Sequence, residues 1–222
     1  RLVAQAGGRG VYSFCMCPGG LVVPSASEDG AVVVNGMSPS SRASRWSNAA
    51  IVVEIRPEDV PESFRDGGHP ALASARFQAW LEREAFLRAG SNGQTAPAQR
   101  LVDFLARRAS KSLPESSYTA GLFPSRLDEW LPSHIETRLR EAMPEFDRSM
   151  RGLVSEDALL IAPETRTSSP VRILRNPETL ECEGLPGLFP AGEGAGYAGG
   201  ISSSAMDGER AASAVVRSRL WA

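Results

Sequence analysis

Residues 187–200 read GLFPAGEGAGYAGG, six glycines in fourteen positions. No regular helix or strand runs easily through such a stretch, because glycine loses more backbone freedom on ordering than any other residue. The following residues, ISSSAMDGERAASAVVRSRL, carry small and apolar side chains at helical spacing. Leu188, Phe189 and Pro190 read as a strand end, Gly192 to Gly200 as a loop, and Ile201 as the start of a helix. A glycine loop that opens a helix brings unpaired backbone N–H groups close to whatever faces it. The chain is therefore expected to contain a strand–loop–helix unit built for close backbone approach.

The loop's composition narrows what it can face. Gly199 and Gly200 expose the amides at the helix start, where the partial charge is positive. Glu193 would repel a phosphate but accepts hydrogen bonds well from sugar or ribityl hydroxyls. Together they suit a ligand with both hydroxyls and phosphates, such as a dinucleotide. There is no G-x-x-x-x-G-K-[ST], which excludes a P-loop reading. Gly194, Gly196 and Gly199 satisfy G-x-G-x-x-G, but a first dinucleotide fingerprint also needs a βαβ unit with an acidic residue about 20 positions on. A glycine turn without a ligand is the bland alternative.

The remainder is ordinary globular sequence. Hydrophobic residues make up 42% and charged residues 23% of 222 positions, and the net charge is −2. That balance gives no support to nucleic-acid binding or to an acidic membrane surface as partner. The longest apolar runs, AAIVVEI and ALLIA, are strand-sized and far short of the ~20 residues of a membrane span. Three cysteines, Cys15, Cys17 and Cys182, argue against a disulfide framework and for a reducing compartment, so a cytoplasmic location is expected. The start at Arg1, without Met or a signal-peptide pattern, leads us to expect a fragment.

Three segments follow from the pattern. Residues 1–56 are expected to be β-rich, with GVYSFCMC, GLVVPSA, AVVVNGM and NAAIVVEI as strands separated by PGG and EDG turns. Residues 57–152 are expected to be helical. A helix should run through HPALASARFQAWLEREAFLRAG, a second through PAQRLVDFLARR with Pro97 in its first turn, and a third through PSHIETRLREAM with Ile135, Leu139 and Met143 on one face. PEFDRSMRG is a short fourth. Residues 153–222 return to strands at ALLIAPE and VRILR, with TRTSSP as a turn between them, and end in the glycine loop and final helix. The fold class expected is α+β or α/β, a β-rich segment and helical insertion joined to the C-terminal part of a larger α/β fold.

Other residues carry chemistry more weakly. Cys15-Met16-Cys17 lies in a strand pattern, so both thiols are expected on one face, too far apart for an easy i,i+2 disulfide. Two thiols without a nearby histidine make a poor metal site, and no metal centre is expected. Small buried hydrophobes are the plainer reading. Thr165-Arg166-Thr167-Ser168-Ser169 offers hydroxyls and one fixed cation to an anion or carbonyl; a solvated turn is the alternative. Asn35-Gly36-Met37-Ser38 reads as a strand end and turn. His69 and His134 are isolated, His134 on a polar helix face and exposed. No triad, G-x-S-x-G or H-E-x-x-H pattern is present.

GLFPAGEGAGYAGGISSSAMDG, TRTSSPVRI and YSFCMCPGG…NGMS, taken in order, resemble the C-terminal part of a bacterial family of FAD-dependent dehydrogenases of unassigned substrate. The resemblance covers nearly the whole chain. It implies a Rossmann-like FAD domain interrupted by a substrate domain, with the fingerprint for the ADP half of FAD upstream of Arg1. It implies that GLFPAGE is the second FAD motif. Gly192, Glu193, Gly194, Gly199, Gly200 and Ile201 would then be cofactor-binding, with Glu193 on the ribityl hydroxyls and Gly199–Ile201 near the flavin ring or pyrophosphate. Cys15, Cys17 and Arg166 become candidates on the flavin or substrate side. The implied cofactor is FAD, with NAD(P)H as a possible electron donor and a small-molecule substrate. The missing N-terminal FAD-binding segment is the implied partner, so the fragment alone is expected to hold FAD weakly or not at all. A binding module that shares the fold without holding FAD is the alternative.

Overall fold

The computed structural model describes residues 2–66 and 68–218. In chain order its strands are β1 (Val3–Ala6), β2 (Arg9–Pro18), β3 (Leu21–Pro24), β4 (Val34–Met37), β5 (Ser47–Val53), β6 (Ala96–Arg100), β7 (Leu122–Pro124) and β8 (Leu159–Ile161). The α-helices are α1 (Ser63–Asp66), α2 (Ala73–Arg88), α3 (Leu101–Leu105), α4 (Leu127–Trp130), α5 (Ser133–Ser149) and α6 (Ile201–Arg217). Among the described residues the fold is thus mixed α/β, with small sheets and six α-helices. The chain divides into two compact units, residues 1–61 with 77–165 and residues 62–76 with 166–222. The division falls within α2.

The first unit holds the hydrophobic core. β2 lies between β1 and β5, both antiparallel to it, with Val11 opposite Ala4 and Val53. β3 and β4 form a separate antiparallel pair. Ala4, Ala6, Val11, Val32 and Val34 pack with Phe104, Leu127, Trp130, Met143 and Phe146. α5 supplies the last two and lies against β1 and β5. The expected stripe of Ile135, Leu139 and Met143 holds for Met143, which is buried, while the other two are half-buried and Phe146 extends the face. α2 turns Phe77, Leu81 and Ala85 inward, while Leu72 and Leu87 are exposed.

Several elements differ from the sequence pattern. PAQRLVDFLARR is not one helix: Ala96–Arg100 is the central strand of a sheet, parallel to β7 and antiparallel to β8, and only Leu101–Leu105 is helical. Burial of Ala96 to Gln99 and pairing on both sides place these residues in a strand, although Pro97 has no N–H to give the ladder. Gln99 is fully buried, and its amide satisfies the Asp128 carboxylate, the Arg108 carbonyl and the Leu127 N–H at 2.8–2.9 Å. PEFDRSMRG is no separate helix, because α5 continues through Pro144 to Ser149. VRILR and Leu188–Pro190 form no regular strand; that region has a single bridge, Arg175 to Cys182.

His134 is half-buried rather than exposed, and its ring stacks on Phe77 with centroids 6.2 Å apart. Burial holds the imidazole below its ordinary value of 6.5, with Asp59 opposing and Arg138 and Arg9 adding to the effect. The unfolded chain therefore takes up this proton more readily. The resulting stability is present above the ordinary value and lost as pH falls through the depressed one. His134→Phe keeps a ring against Phe77 and removes the titration. Between about pH 8 and about pH 5.5, urea unfolding should show the wild type losing more stability than the variant. Equal losses would rule His134 out as the source.

Candidate functional site

In the second unit the segment 171–175 runs beside the glycine loop, held by polar contacts. Arg175 donates from both terminal nitrogens to the Asp207 carboxylate of α6, at 2.7 and 3.0 Å, and to the Pro190 carbonyl at 2.6 Å. Both side chains of the pair are more than nine-tenths buried. Asp207 also accepts the Gly192 N–H at 2.9 Å. The Arg175 guanidinium lies 3.6 Å from the centroid of the Tyr197 ring, and the Tyr197 hydroxyl donates to the Ile173 carbonyl. Arg172 donates to the Gly196 carbonyl, and the Ile173 N–H to the Ala195 carbonyl. Ser169, from the TRTSS stretch, donates to the Val171 and Gly194 carbonyls, which brings that motif to the loop.

The loop's glycines separate into two groups. Gly192 and Gly196 have positive φ, +73° and +84°. A Cβ at Gly196 would stand 2.7 Å from the Val171 carbonyl oxygen, so the fold itself demands glycine there. Gly194 and Gly199 have ordinary backbone angles, and a Cβ on either would meet nothing within 4 Å. At Gly200 the nearest atom is the Ser203 hydroxyl at 3.7 Å. The chain's own packing gives no reason for glycine at these three positions.

Gly200 caps α6 with extended backbone and no side-chain hydrogen bond, and no acidic residue lies in the helix's first turn. The positive end of this 17-residue helix therefore has no acidic residue of its first turn to compensate it. Glu193 is half-buried beside the loop, and its carbonyl accepts the Gly196 N–H. Among the described residues its carboxylate makes no hydrogen bond or ion pair, which leaves both oxygens available to hydroxyl donors. The arrangement can present backbone amides to an anionic or electron-rich group and a carboxylate to hydroxyls.

The first unit contains the candidate cysteines. Cys15 and Cys17 do not share a strand face. A bulge between Phe14 and Cys17 sets Cys15 and Met16 opposite Ala49, leaving Cys15 exposed with φ +45° and Cys17 buried. The Cys17 thiol donates to the Cys15 carbonyl at 3.2 Å. A positive-φ bulge position ordinarily takes glycine; here it holds a thiol. Asn48, opposite Cys17, was not visible as a candidate in the sequence. Its amide is clamped by Gly20 and Gly36, where added Cβ atoms would fall 2.8 and 2.2 Å away, and both amide atoms are buried without a hydrogen-bond partner among the described residues. Glu164 also gave no sequence signal; burial pushes its carboxyl up to about 7. Arg166 is half-buried and begins the longer segment of the second unit.

The Arg175 guanidinium holds the Asp207 carboxyl below its ordinary value of 3.8, against burial, and the Gly192 N–H adds to it. This contribution is present above the ordinary value and lost as pH falls through the depressed one. Asp207→Ala leaves a buried guanidinium unpaired, a change that costs roughly 3 kcal/mol. Amide exchange at Gly192 and Tyr197 should accelerate in this variant, with exchange in β2 unchanged. Unaltered exchange at Gly192 would show that the pair does not hold the loop.

Comparison with known proteins adds the lineage. Residues 1–167 match the family described as FAD-dependent protein, C-terminal domain-like. An uncharacterised protein of Clostridium beijerinckii is 46% identical over 210 residues, covering 94% of this chain and 38% of that protein. The chain thus spans well under half of the length of that relative. The family match ends before the glycine loop. With most of its length inside that match, the chain belongs to the FAD-dependent protein, C-terminal domain-like family.

Proposed function

We propose that the chain is the C-terminal portion of a FAD-dependent oxidoreductase, a dehydrogenase acting on a small molecule. In this reading it contributes the substrate domain and the second half of the FAD site, and a preceding segment completes a Rossmann-like FAD domain. The observation that carries this reading is the set of glycines that the fold does not require. Gly199 and Gly200 lead directly into a helix start with no side-chain cap, Gly194 lies earlier in the same loop, and their missing side chains leave room for a ligand. Family membership supports FAD as that ligand.

The residues present fit FAD. The Glu193 carboxylate would accept from ribityl hydroxyls, and the Gly199–Gly200–Ile201 backbone would face the flavin or pyrophosphate. The Gly192 N–H is already taken by Asp207, so Gly192 shapes the turn. When bound, FAD supplies hydride or electron transfer. The chain's own contribution is to bind and orient the cofactor and to favour negative charge beside α6. NAD(P)H is the first electron donor to test. Three cysteines without a disulfide fit a reducing compartment such as the cytoplasm.

The full-length protein should purify with flavin absorbance and release FAD on denaturation. Residues 1–222 alone should bind FAD weakly or not at all. In the full-length protein, Glu193→Ala and Gly199→Val should each weaken FAD binding by at least about tenfold. Full-length protein devoid of flavin, or unchanged affinity in both variants, would favour a binding module that shares the fold without the cofactor.

The strained, exposed Cys15 is the proposed flavin- or substrate-facing residue of the first unit, with Cys17 beneath it. Alkylation of Cys15 in the full-length protein should slow when FAD is bound. A rate indifferent to flavin would remove Cys15 from the site.

A further inference from the structure

Nothing in the fold's own hydrogen bonding accounts for the Asn48 amide. It lies on β5 opposite Cys17, and both its atoms are buried without a hydrogen-bond partner among the described residues. A buried amide left unpaired is destabilising, and native folds keep few of them without a use. The surroundings nevertheless hold it in place. A Cβ at Gly20 would stand 2.8 Å from Asn48 Nδ2 and 2.5 Å from Cys17 Cβ. One at Gly36 would stand 2.2 Å from Asn48 Oδ1 and 3.6 Å from the Cys15 carbonyl oxygen. The amide donor and the Cys17 side chain thus lie against the same glycine.

The two thiols differ in the way an exchange pair requires. Cys15 is exposed and Cys17 is buried. Thiol–disulfide exchange needs one accessible thiolate to attack and a second thiol to displace the product. The bulge in β2 also alters their relation. In a regular strand both side chains project in parallel from one face, too far apart to bond. Here Cys15 is left-handed, with φ +45°, and the Cys17 sulfur lies 3.2 Å from the Cys15 carbonyl oxygen. That contact puts the buried sulfur within about 6 Å of the Cys15 Cα, a gap that an inward turn of the Cys15 side chain closes.

We propose that Cys15 and Cys17 are a thiol–disulfide exchange site whose substrate is a disulfide, with Asn48 as its positioning residue. The Cys15 thiolate attacks one sulfur of the substrate and the substrate S–S bond breaks. The first substrate thiolate leaves and takes up the proton that Cys15 lost to solvent. The Cys17 thiolate then attacks the Cys15 sulfur and the mixed S–S bond breaks. The second substrate thiolate leaves and takes up the proton lost by Cys17. Two protein thiols are oxidised to one disulfide, and one substrate disulfide is reduced to two thiols. The second step begins with negative charge on Cys17, beside the Asn48 N–H, which then gains an ionised acceptor. In the resting thiol state that donor has no such acceptor, which explains why it stands unpaired. The proposal rests on the reading of Cys15 as substrate-facing and assigns the substrate class; it does not require FAD to be bound.

The test treats reduced full-length protein, freed of reductant, with dithiobis-nitrobenzoate, a chromogenic disulfide. Residues 10–42 form one tryptic peptide that contains Cys15 and Cys17 and no other cysteine. In the wild type this peptide should lose two hydrogens and carry no adduct. In Cys17→Ser it should keep a nitrobenzoate adduct on Cys15. In Cys15→Ser, Cys17 should react at least about tenfold more slowly than Cys15 does in Cys17→Ser. Asn48→Leu keeps the branched shape and gives up only an unpaired amide, so the fold is retained. In that variant the adduct should form at the wild-type rate and close at least about tenfold more slowly. A wild-type peptide that keeps its adduct would overturn the exchange site. Closure of Asn48→Leu at the wild-type rate would overturn the role of Asn48. Alkylation of Cys15 with and without FAD is read separately. Closure without flavin protection leaves the exchange site and removes the flavin-facing assignment; protection without closure removes the exchange site alone.

Discussion

The buried pairing of Arg175 with Asp207 fixes the arrangement of the second unit. One guanidinium reaches a carboxylate on α6, the Pro190 carbonyl at the loop's start and the face of Tyr197 near its end. One carboxylate returns to the Gly192 N–H. The loop, the helix and the 171–175 segment are thus registered by directional contacts. A buried ion pair of this kind is weak evidence for net stability, since desolvation offsets much of the Coulombic gain. It is better suited to selecting one geometry, and a glycine-rich loop needs that selection more than most segments do.

The loop's glycines follow from this geometry in part. Gly192 and Gly196 are needed where the chain turns past Val171 and Asp207. Gly194, Gly199 and Gly200 have ordinary backbone angles, and a Cβ would meet nothing within 4 Å at the first two and only the Ser203 hydroxyl, at 3.7 Å, at the third. A loop of turns alone would need only the first group. The second group has no such requirement in the fold, and neither the glycine count nor their spacing in the sequence separates the two groups.

Much of the first unit was legible because its signals are local. β-branched runs broken by PGG and EDG gave the strands, and the apolar spacing from Ile135 to Met143 gave α5. Pro97 was misread because a proline followed by Leu101, Val102 and Phe104 has the letters of a helix start. Its placement in a strand depends on pairing with residues 122–124 and 159–161, which no local window contains. Continuation of α5 through Pro144 is likewise decided by the packing of Met143 and Phe146 on the core. At the site, the glycine loop and the start of α6 were plain in the sequence. Arg175 was hidden within VRILR, an apparent strand, and Asp207 drew no attention within the final helix. Cys15 and Cys17 were placed on one face by a period of two that a single extra residue in β2 breaks.

The two units use different means of reaching a defined structure. The first buries Phe104, Leu127, Met143 and Phe146 and satisfies its one buried glutamine completely. Among its described residues the second buries mostly alanine and exposes most of its larger apolar groups. A small-residue interior lets backbone segments come close together, which the loop requires, but it removes little apolar surface from water. The same choice that makes the loop compact leaves Ile201 and Val216 of α6 exposed among the described residues. Close backbone approach at the loop and exposed apolar groups on the helix are two consequences of one composition.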